Sequence, residues 1–194
     1  MKTSLRKTGL LFALIAISFI SFSQTAYKST ALDIRLAGTS NIHDWEMKAT
    51  AGNSQATFVV NANGKVTSLS NLSFSLPAIN LKSGRSAMDK NTYKALKTSA
   101  NPNILFVLTS AEVIATGGNN YQLKCVGKLT IAGTVKNTDL VATAKYNPSD
   151  KSLTIDGIKK MKMTDYNVAP PKALMGTIKT GNDIAISFNL KFTK

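Results

Sequence analysis

Apolar and polar residues alternate with a period of two over most of the chain beyond residue 24. In the clearest run the apolar positions are Ile184, Ile186, Phe188, Leu190 and Phe192. Earlier runs of the same kind begin at Leu32, Ala56, Leu72, Ile104, Leu129, Leu153 and Met161. Strict alternation indicates a strand with one buried face and one solvated face. The pattern therefore predicts an all-β chain of about eight or nine strands.

Turn-forming residues separate these runs. Clusters of Asn, Gly, Pro and Asp lie at 61–64, 117–120 and 147–150, where chains commonly reverse direction. Gly181 and Asn182 lie between two apolar runs and predict a two-residue hairpin turn. Short strands joined by such turns form antiparallel sandwiches or barrels. About eight strands close into a barrel that can hold one small ligand.

Two segments depart from the alternation. Ser86 and Asp89 have the spacing of a helix capping box, and helix-tolerant residues follow, so we predict one short helix over about 86–98. The stretch 164–177 contains Pro170 and Pro171 and is too apolar for an ordinary solvent loop. Beside a barrel it is either a lid at the mouth of a cavity or a plug that closes one end.

The first 23 residues have the order of a secretory signal peptide. Three basic residues precede an uncharged apolar run over 9–22, and Ser21 and Ser23 are small residues before an expected cleavage site after Ser23. The run is shorter than the ~20 residues that a membrane-spanning helix needs. We therefore expect a signal peptide, 1–23, and one periplasmic or secreted domain, 24–194, without a stable membrane span.

The charge of this domain indicates a solvated basic surface. Three of the 24 basic residues and none of the ten acidic ones lie in the first 23 positions, which leaves a formal charge of +11 on the other 171 residues. The lysines stand singly on polar positions of alternating runs, as at Lys124, Lys128, Lys136, Lys145 and Lys191. Such a distribution affects solubility and loose association more than specific binding. We expect no nucleic-acid partner, and the sequence leaves the oligomeric state open, a homodimer included.

Residues for catalysis or metal binding are scarce. His43 is the only histidine and Cys125 the only cysteine, whereas a zinc site needs three or four ligands. On a strand His43 would share one face with Trp45, and the acidic neighbours Asp44 and Glu46 would share the other. Nucleophile-elbow and phosphate-loop motifs are absent from the sequence. We therefore predict no enzyme activity, no metal and no cofactor, with Cys125 as a small buried side chain.

Several segments resemble a known family in the same order along the chain. They are 38–46 (Gly-Thr-Ser-Asn-Ile-His-Asp-Trp-Glu), 83–89, 101–106 (Asn-Pro-Asn-Ile-Leu-Phe), 127–133 (Gly-Lys-Leu-Thr-Ile-Ala-Gly), 163–166 and 183–192. In these the chain resembles the YceI-like family of secreted lipid- or polyisoprenoid-binding proteins. The resemblance implies a lipocalin-like barrel with a helix beside it. It also implies a non-catalytic carrier of a long amphiphilic lipid, such as a polyisoprenoid or an isoprenoid quinone.

The inward positions of the alternating runs, with apolar residues near the expected mouth, are the candidate ligand-binding residues. They are Phe58, Leu72, Phe74, Leu76, Ile104, Phe106, Leu108, Leu129, Ile131, Leu153, Ile155, Met161, Met163, Leu174, Met175, Ile186, Phe188 and Leu190. If they line a tunnel, the chain is a lipid carrier. If they fill the interior, it is an envelope interaction module with a packed barrel. An enzyme acting on a bound lipid would need His43 at the cavity beside an acid.

Overall fold

The computed structural model describes residues 24–194, which form ten strands and one α-helix. The strands are β1 (Gln24–Ser40), β2 (Trp45–Ala49), β3 (Asn53–Val60), β4 (Val66–Pro77), β5 (Asn103–Gly117), β6 (Asn120–Ile131), β7 (Thr134–Asn147), β8 (Ser152–Lys162), β9 (Lys172–Ala173) and β10 (Ile178–Thr193). The helix, α1, is Ser86–Ala95, and short 3₁₀ turns lie at Ala78–Asn80, Met163–Tyr166 and Leu174–Gly176. The expected signal peptide, 1–23, lies outside the described residues.

Eight strands close an antiparallel barrel. Their order is β1-β3-β4-β5-β6-β7-β8-β10, and the pairing of β10 with β1 completes the ring. β1 pairs with β3 through its first residues and with β2 through its second half, while β9 pairs with the start of β10. The prediction of an all-β antiparallel barrel of about eight strands with one short helix is confirmed.

Bulges keep the inward face apolar along the long strands. One extra residue in β1, Thr30, shifts the pairing with β10, so that Tyr27 and Leu32 are both buried despite their odd separation. In β4, Asn71 has a left-handed φ of 52° and lies in a shifted stretch between the buried Leu69 and Leu72. A bulge bends and coils its strand, which lets long strands wrap around one interior.

The hairpin expected at Gly181 and Asn182 is wrong. β10 runs without interruption through both residues, because its start pairs with the end of β1. The register changes between Gly38 opposite Ile184 and Ser40 opposite Thr180. Glycine and asparagine therefore accommodate a bulge here rather than a chain reversal.

The helix begins as expected but is neither capped nor ended as expected. Arg85 is the N-cap residue, and no side chain caps it. Asp89 instead accepts hydrogen bonds from the backbone N–H of Ser83, at 2.8 Å, and from its hydroxyl, at 2.6 Å. The α-helix ends at Ala95 rather than near 98, and Lys97 adopts a left-handed φ of 53° that is incompatible with continuing it.

Candidate functional site

An apolar cavity of about 140 Å³ lies inside the barrel, and every barrel strand contributes to its wall. The candidate residues that line it are Leu72, Phe74, Leu76, Ile104, Phe106, Leu129, Ile155, Met161, Ile186, Phe188 and Leu190. Its polar lining residues are Ser54, Thr138 and Lys159. The Lys159 ammonium donates a hydrogen bond of 2.7 Å to the Asp139 carbonyl oxygen, which gives its charge a local polar partner. Since the lining side chains other than these three are apolar, the wall of the cavity is almost entirely hydrocarbon.

A second cavity, of about 280 Å³, lies at one end of the barrel. It is enclosed by α1, by the segment that enters β2, and by the stretch after β8. Of the candidate residues, Ile131, Met161 and Met163 line this mouth cavity. Leu36 and Met161 line both cavities. The two spaces are therefore adjacent compartments of one apolar interior, with these two side chains at their boundary.

Glycines in the barrel wall make room for the aromatic rings of the inner cavity. A Cβ at Gly127 would lie 2.5 Å from Phe106 Cζ, and one at Gly157 would lie 2.6 Å from Phe188 Cζ. Such distances are far inside van der Waals contact. Each ring therefore packs directly against a glycine of the neighbouring strand. A side chain at either glycine would push the ring into the space that the cavity occupies.

Trp45 forms the aromatic part of the mouth-cavity wall. Trp45 packs so closely on Gly38 that a Cβ there would lie 2.3 Å from Trp45 Cζ2. The indole Nε1–H donates a hydrogen bond of 2.9 Å to the Thr39 carbonyl oxygen. Trp45 therefore presents its apolar ring to the cavity while its polar N–H is satisfied by the backbone.

His43 lines the same mouth but lies just before β2 and is exposed. Its Nδ1 is 2.7 Å from the Asp44 carbonyl oxygen, which accepts the hydrogen bond. The Ser40 hydroxyl donates to the His43 carbonyl oxygen at 2.7 Å. Neither Asp44 nor Glu46 lines the cavity. The imidazole thus has the local structural contacts of a loop residue, without a carboxylate beside it.

The charged groups at the mouth are basic. Arg85, Lys162 and Lys172 line the cavity together with His43, and no aspartate or glutamate does so. α1 supplies Met88 and Ala95 to the same wall, and Leu96, which follows its last residue, also lines it. The mouth therefore combines an apolar interior with a positively charged rim.

The opposite end of the barrel is closed by packed aromatic side chains. Phe58 makes edge-to-face contacts with Tyr27 and Phe192, at centroid distances of 5.2 and 5.9 Å. The candidate residues Phe58 and Leu153 are completely buried here and line neither cavity. Leu108 is half-buried and packs against the core. The interior is thus open at one end and filled at the other.

Leu174 and Met175 lie elsewhere than expected. They form the tip of the 3₁₀ turn after β9, where Leu174 is 72% exposed and Met175 fully exposed. Both have left-handed φ values, which direct the side chains away from the cavity wall. The earlier part of the stretch does border the mouth, through Val168, Pro171 and Ala173.

Within residues 24–194, no cluster of three or more His, Cys, Asp or Glu side chains is placed to hold a metal ion. Cys125 lies in β6 and is buried, as expected, and burial raises the pKa of its thiol to about 11. In the same part of the chain, no helix is long and apolar enough to cross a membrane.

Several lining residues were missed by the sequence analysis. Leu140 and Ala142 of β7 face the inner cavity, but the apolar Val141 between them obscures the alternation that would have marked them. Lys159 also faces inward, at the same parity as Ile155 and Met161, but a lysine does not suggest a lining position. Residues of the segment 40–47 line the mouth because they pack against parts of the chain that are distant in sequence. A local sequence pattern does not predict such contacts.

The comparison with known families identifies this architecture. A model of the YceI-like domain matches residues 18–192. The chain belongs to the YceI-like family. A comparison with curated proteins found no match.

Solved structures share the fold of this YceI-like protein. Burkholderia cenocepacia BcnA superposes with a TM-score of 0.65 at 18% identity, covering 82% of this chain and 95% of its own. A polyisoprenoid-binding domain from Saccharophagus degradans gives 0.63 at 10% identity, covering 86% and 97%. A Campylobacter jejuni YceI protein gives 0.54 at 14% identity, covering 100% and 99%. At these identities the likeness establishes a common fold.

Proposed function

We propose that this YceI-like protein is an exported, non-catalytic carrier of a long amphiphilic lipid, such as a polyisoprenoid or an isoprenoid quinone. The apolar interior that opens at only one end carries the proposal. Removing hydrocarbon from water is worth about 0.8 kcal/mol per CH₂, or roughly 4 kcal/mol for a five-carbon unit. A chain of several such units therefore gains enough to remain in the barrel while the protein crosses an aqueous compartment.

The charge at the mouth supports an amphiphile rather than a pure hydrocarbon. The tail would lie along Phe74, Phe106 and Phe188, and the polar head would stay beside Arg85 and Lys172 at the rim. Binding of a polyisoprenoid by the Saccharophagus domain, which has the same fold, agrees with this assignment. The order of residues 1–23 supports a periplasmic or secreted location.

The direct test is identification of the lipid that copurifies with the protein. Native mass spectrometry should show a mass increment that is lost on denaturation, and solvent extraction should release an isoprenoid-type lipid. Ala142→Phe places a ring in the inner cavity and should reduce the bound fraction. Its control is Val141→Phe, because Val141 is the adjacent residue of β7 and is 51% exposed on the outer face.

A protein without copurifying lipid that also takes up no isoprenoid probe would contradict the carrier function. It would instead support the packed interaction module. Equal lipid content in Ala142→Phe, Val141→Phe and wild type would show that the ligand lies outside the inner cavity. Determination of the N-terminus of the protein recovered from the envelope tests export and cleavage after Ser23.

A further inference from the structure

A protruding apolar turn stands beside the mouth. Leu174 and Met175 form its tip, with φ values of 47° and 54°. This left-handed conformation is unfavourable for residues that have a Cβ. Two large apolar side chains are thus exposed to water on a strained backbone: Leu174 is 72% exposed and Met175 is fully exposed. Packing within the barrel gives no reason for this arrangement.

A third exposed apolar residue, Ile42, lies in a loop that is hydrogen-bonded to the end of this turn. Ile42 lines the mouth cavity and is 56% exposed. Its neighbour Asn41 donates from Nδ2 to the Thr177 carbonyl oxygen at 2.9 Å and accepts at Oδ1 from the Lys179 N–H at 2.8 Å. The Asn41 N–H also donates to the Lys179 carbonyl oxygen at 3.1 Å. The loop that carries Ile42 is therefore joined through Asn41 to Thr177 and Lys179, the residues that follow the turn. We call the exposed residues Ile42, Leu174 and Met175 the mouth edge.

The Leu174–Met175 turn of the mouth edge is flanked by positive charge. Lys172 and Lys179 are paired across β9 and β10, directly on either side of the tip turn. No acidic residue occurs between Asp165 and Asp183. Exposed apolar side chains beside lysines are the combination that binds an anionic bilayer, because the former enter the acyl boundary and the latter meet the phosphates. This charge complementarity selects a lipid surface over a neutral protein partner.

We infer that the mouth edge docks on a bilayer that contains anionic phospholipids, with Leu174 and Met175 inserted at its surface. Docking there would bring the mouth cavity against the membrane, so that a hydrocarbon chain could pass between the two without crossing water. Binding to the bilayer goes beyond the proposed cargo binding. The transfer itself rests on the proposed function.

The test is sedimentation of the full gene product, as processed and purified from the envelope, with vesicles of phosphatidylcholine with or without phosphatidylglycerol. Wild type should sediment with the anionic vesicles, and added salt should weaken this binding. Leu174→Asn/Met175→Asn removes the apolar side chains, while asparagine tolerates the left-handed backbone. This variant should bind at least about tenfold more weakly. Val126→Asn/Val141→Asn, on the outer barrel wall, is the matched control and should bind as wild type does.

The role of the lysines is tested separately from net charge. Lys172→Gln/Lys179→Gln should lose most of the binding to anionic vesicles, whereas Lys145→Gln/Lys151→Gln removes the same charge near the closed end and should retain it. Equal losses in the two lysine pairs, or unchanged binding by the Leu174/Met175 variant, would overturn the inference. Lipid extraction from the Leu174→Asn/Met175→Asn variant keeps the two proposals distinct, because neither residue lines a cavity: docking can fail there while cargo remains bound, and cargo can be absent while docking persists.

Discussion

Substitution of Gly157 is the most direct test of the width of the inner cavity. An alanine Cβ there would lie 2.6 Å from Phe188 Cζ and 3.1 Å from the Val141 carbonyl oxygen. The ring is the part that can move, and it moves into the cavity. Overpacking of this kind costs about 1–3 kcal/mol. Gly157→Ala should therefore lower the melting temperature and reduce the amount of copurified lipid.

A second substitution separates crowding from other effects of the alanine. Phe188→Leu removes the ring that alanine would displace, so the double variant Gly157→Ala/Phe188→Leu should recover part of the lipid content. Thermal melting and quantitative lipid extraction measure both quantities. A Gly157→Ala protein with unchanged melting and lipid content would show that Phe188 does not define the space in which the ligand lies.

Because the thiol of Cys125 is buried, we expect the stability of the protein to change at alkaline pH. Burial raises the pKa of the folded-state thiol from 9.0 to about 11. Between these values the thiol ionises in the unfolded chain but stays protonated in the folded one, so the unfolded state binds fewer protons. The free energy of unfolding therefore falls as pH rises through this window, by at most roughly 2–3 kcal/mol for this group.

The measurement compares two proteins, because tyrosines and lysines titrate in the same range. Denaturant unfolding at about pH 8 and about pH 10.5 should show a larger loss of stability for wild type than for Cys125→Ala, which lacks the thiol. Parallel pH profiles for the two proteins would mean that the thiol of the folded chain is not protected from ionisation.

At the scale of elements, α1 is held at the mouth by polar contacts and by the half-buried Met88 and Ala95. The helix has no fully buried residue. The Tyr93 hydroxyl is 2.9 Å from the carbonyl oxygens of both Ile79 and Leu81, and the Thr92 hydroxyl donates to Met47 Sδ at 3.3 Å. A wall of the cavity that is attached in this way can open locally at a lower cost than the barrel.

Tyr93→Phe should loosen this wall. The substitution removes the hydroxyl contacts to the 3₁₀ turn while keeping the ring, at a cost of about 1 kcal/mol. Amide hydrogen exchange should become about fivefold faster across α1. It should stay unchanged in β6, which serves as an internal control. Faster exchange in β6 as well would indicate global destabilisation, and no change in α1 would show that other contacts hold the helix.

The elements differ in how far sequence could predict them. Strands such as β10 followed from alternation, because burial of one face imposes a period of two on local sequence. The bulge at Gly181 did not follow, since glycine and asparagine suit a hairpin and a bulge equally well. The difference arises from the pairing with β1, more than a hundred residues away in sequence.

The candidate site shows the same division. Inward positions of single strands, such as Phe74 and Ile155, could be assigned from their own polar neighbours. The position of a residue along the barrel axis could not be assigned in this way. Phe58 and Leu153 were therefore grouped with the lining residues, although they belong to the closed end. Leu174 was assigned to the interior by its apolarity, whereas its left-handed backbone directs it outward.

At the scale of the whole molecule, the interior is divided into two compartments at Met161. One large side chain there sets how deep a ligand can reach from the mouth, because Met161 lines both cavities. Methionine is flexible enough to move aside for a hydrocarbon chain. A ligand that enters from the mouth would reach the inner cavity past Met161 and Leu36, the two side chains that line both compartments.

Replacing Met161 should therefore change the length of the lipid that is retained. Met161→Trp introduces a bulkier and stiffer ring at the boundary and should leave only shorter lipids, held in the mouth cavity, or a smaller bound fraction. Met161→Ala joins the compartments, at a cost of roughly 2 kcal/mol in stability, and should retain lipids at least as long as those of wild type. Ile158→Trp is the control, since Ile158 lies on the same strand and is 63% exposed on its outer face.

Native mass spectrometry of the four proteins gives the mass distribution of the bound lipid. The same distribution in wild type and Met161→Trp would place the whole ligand on the mouth side of this boundary and would contradict a role for the inner cavity in holding the tail.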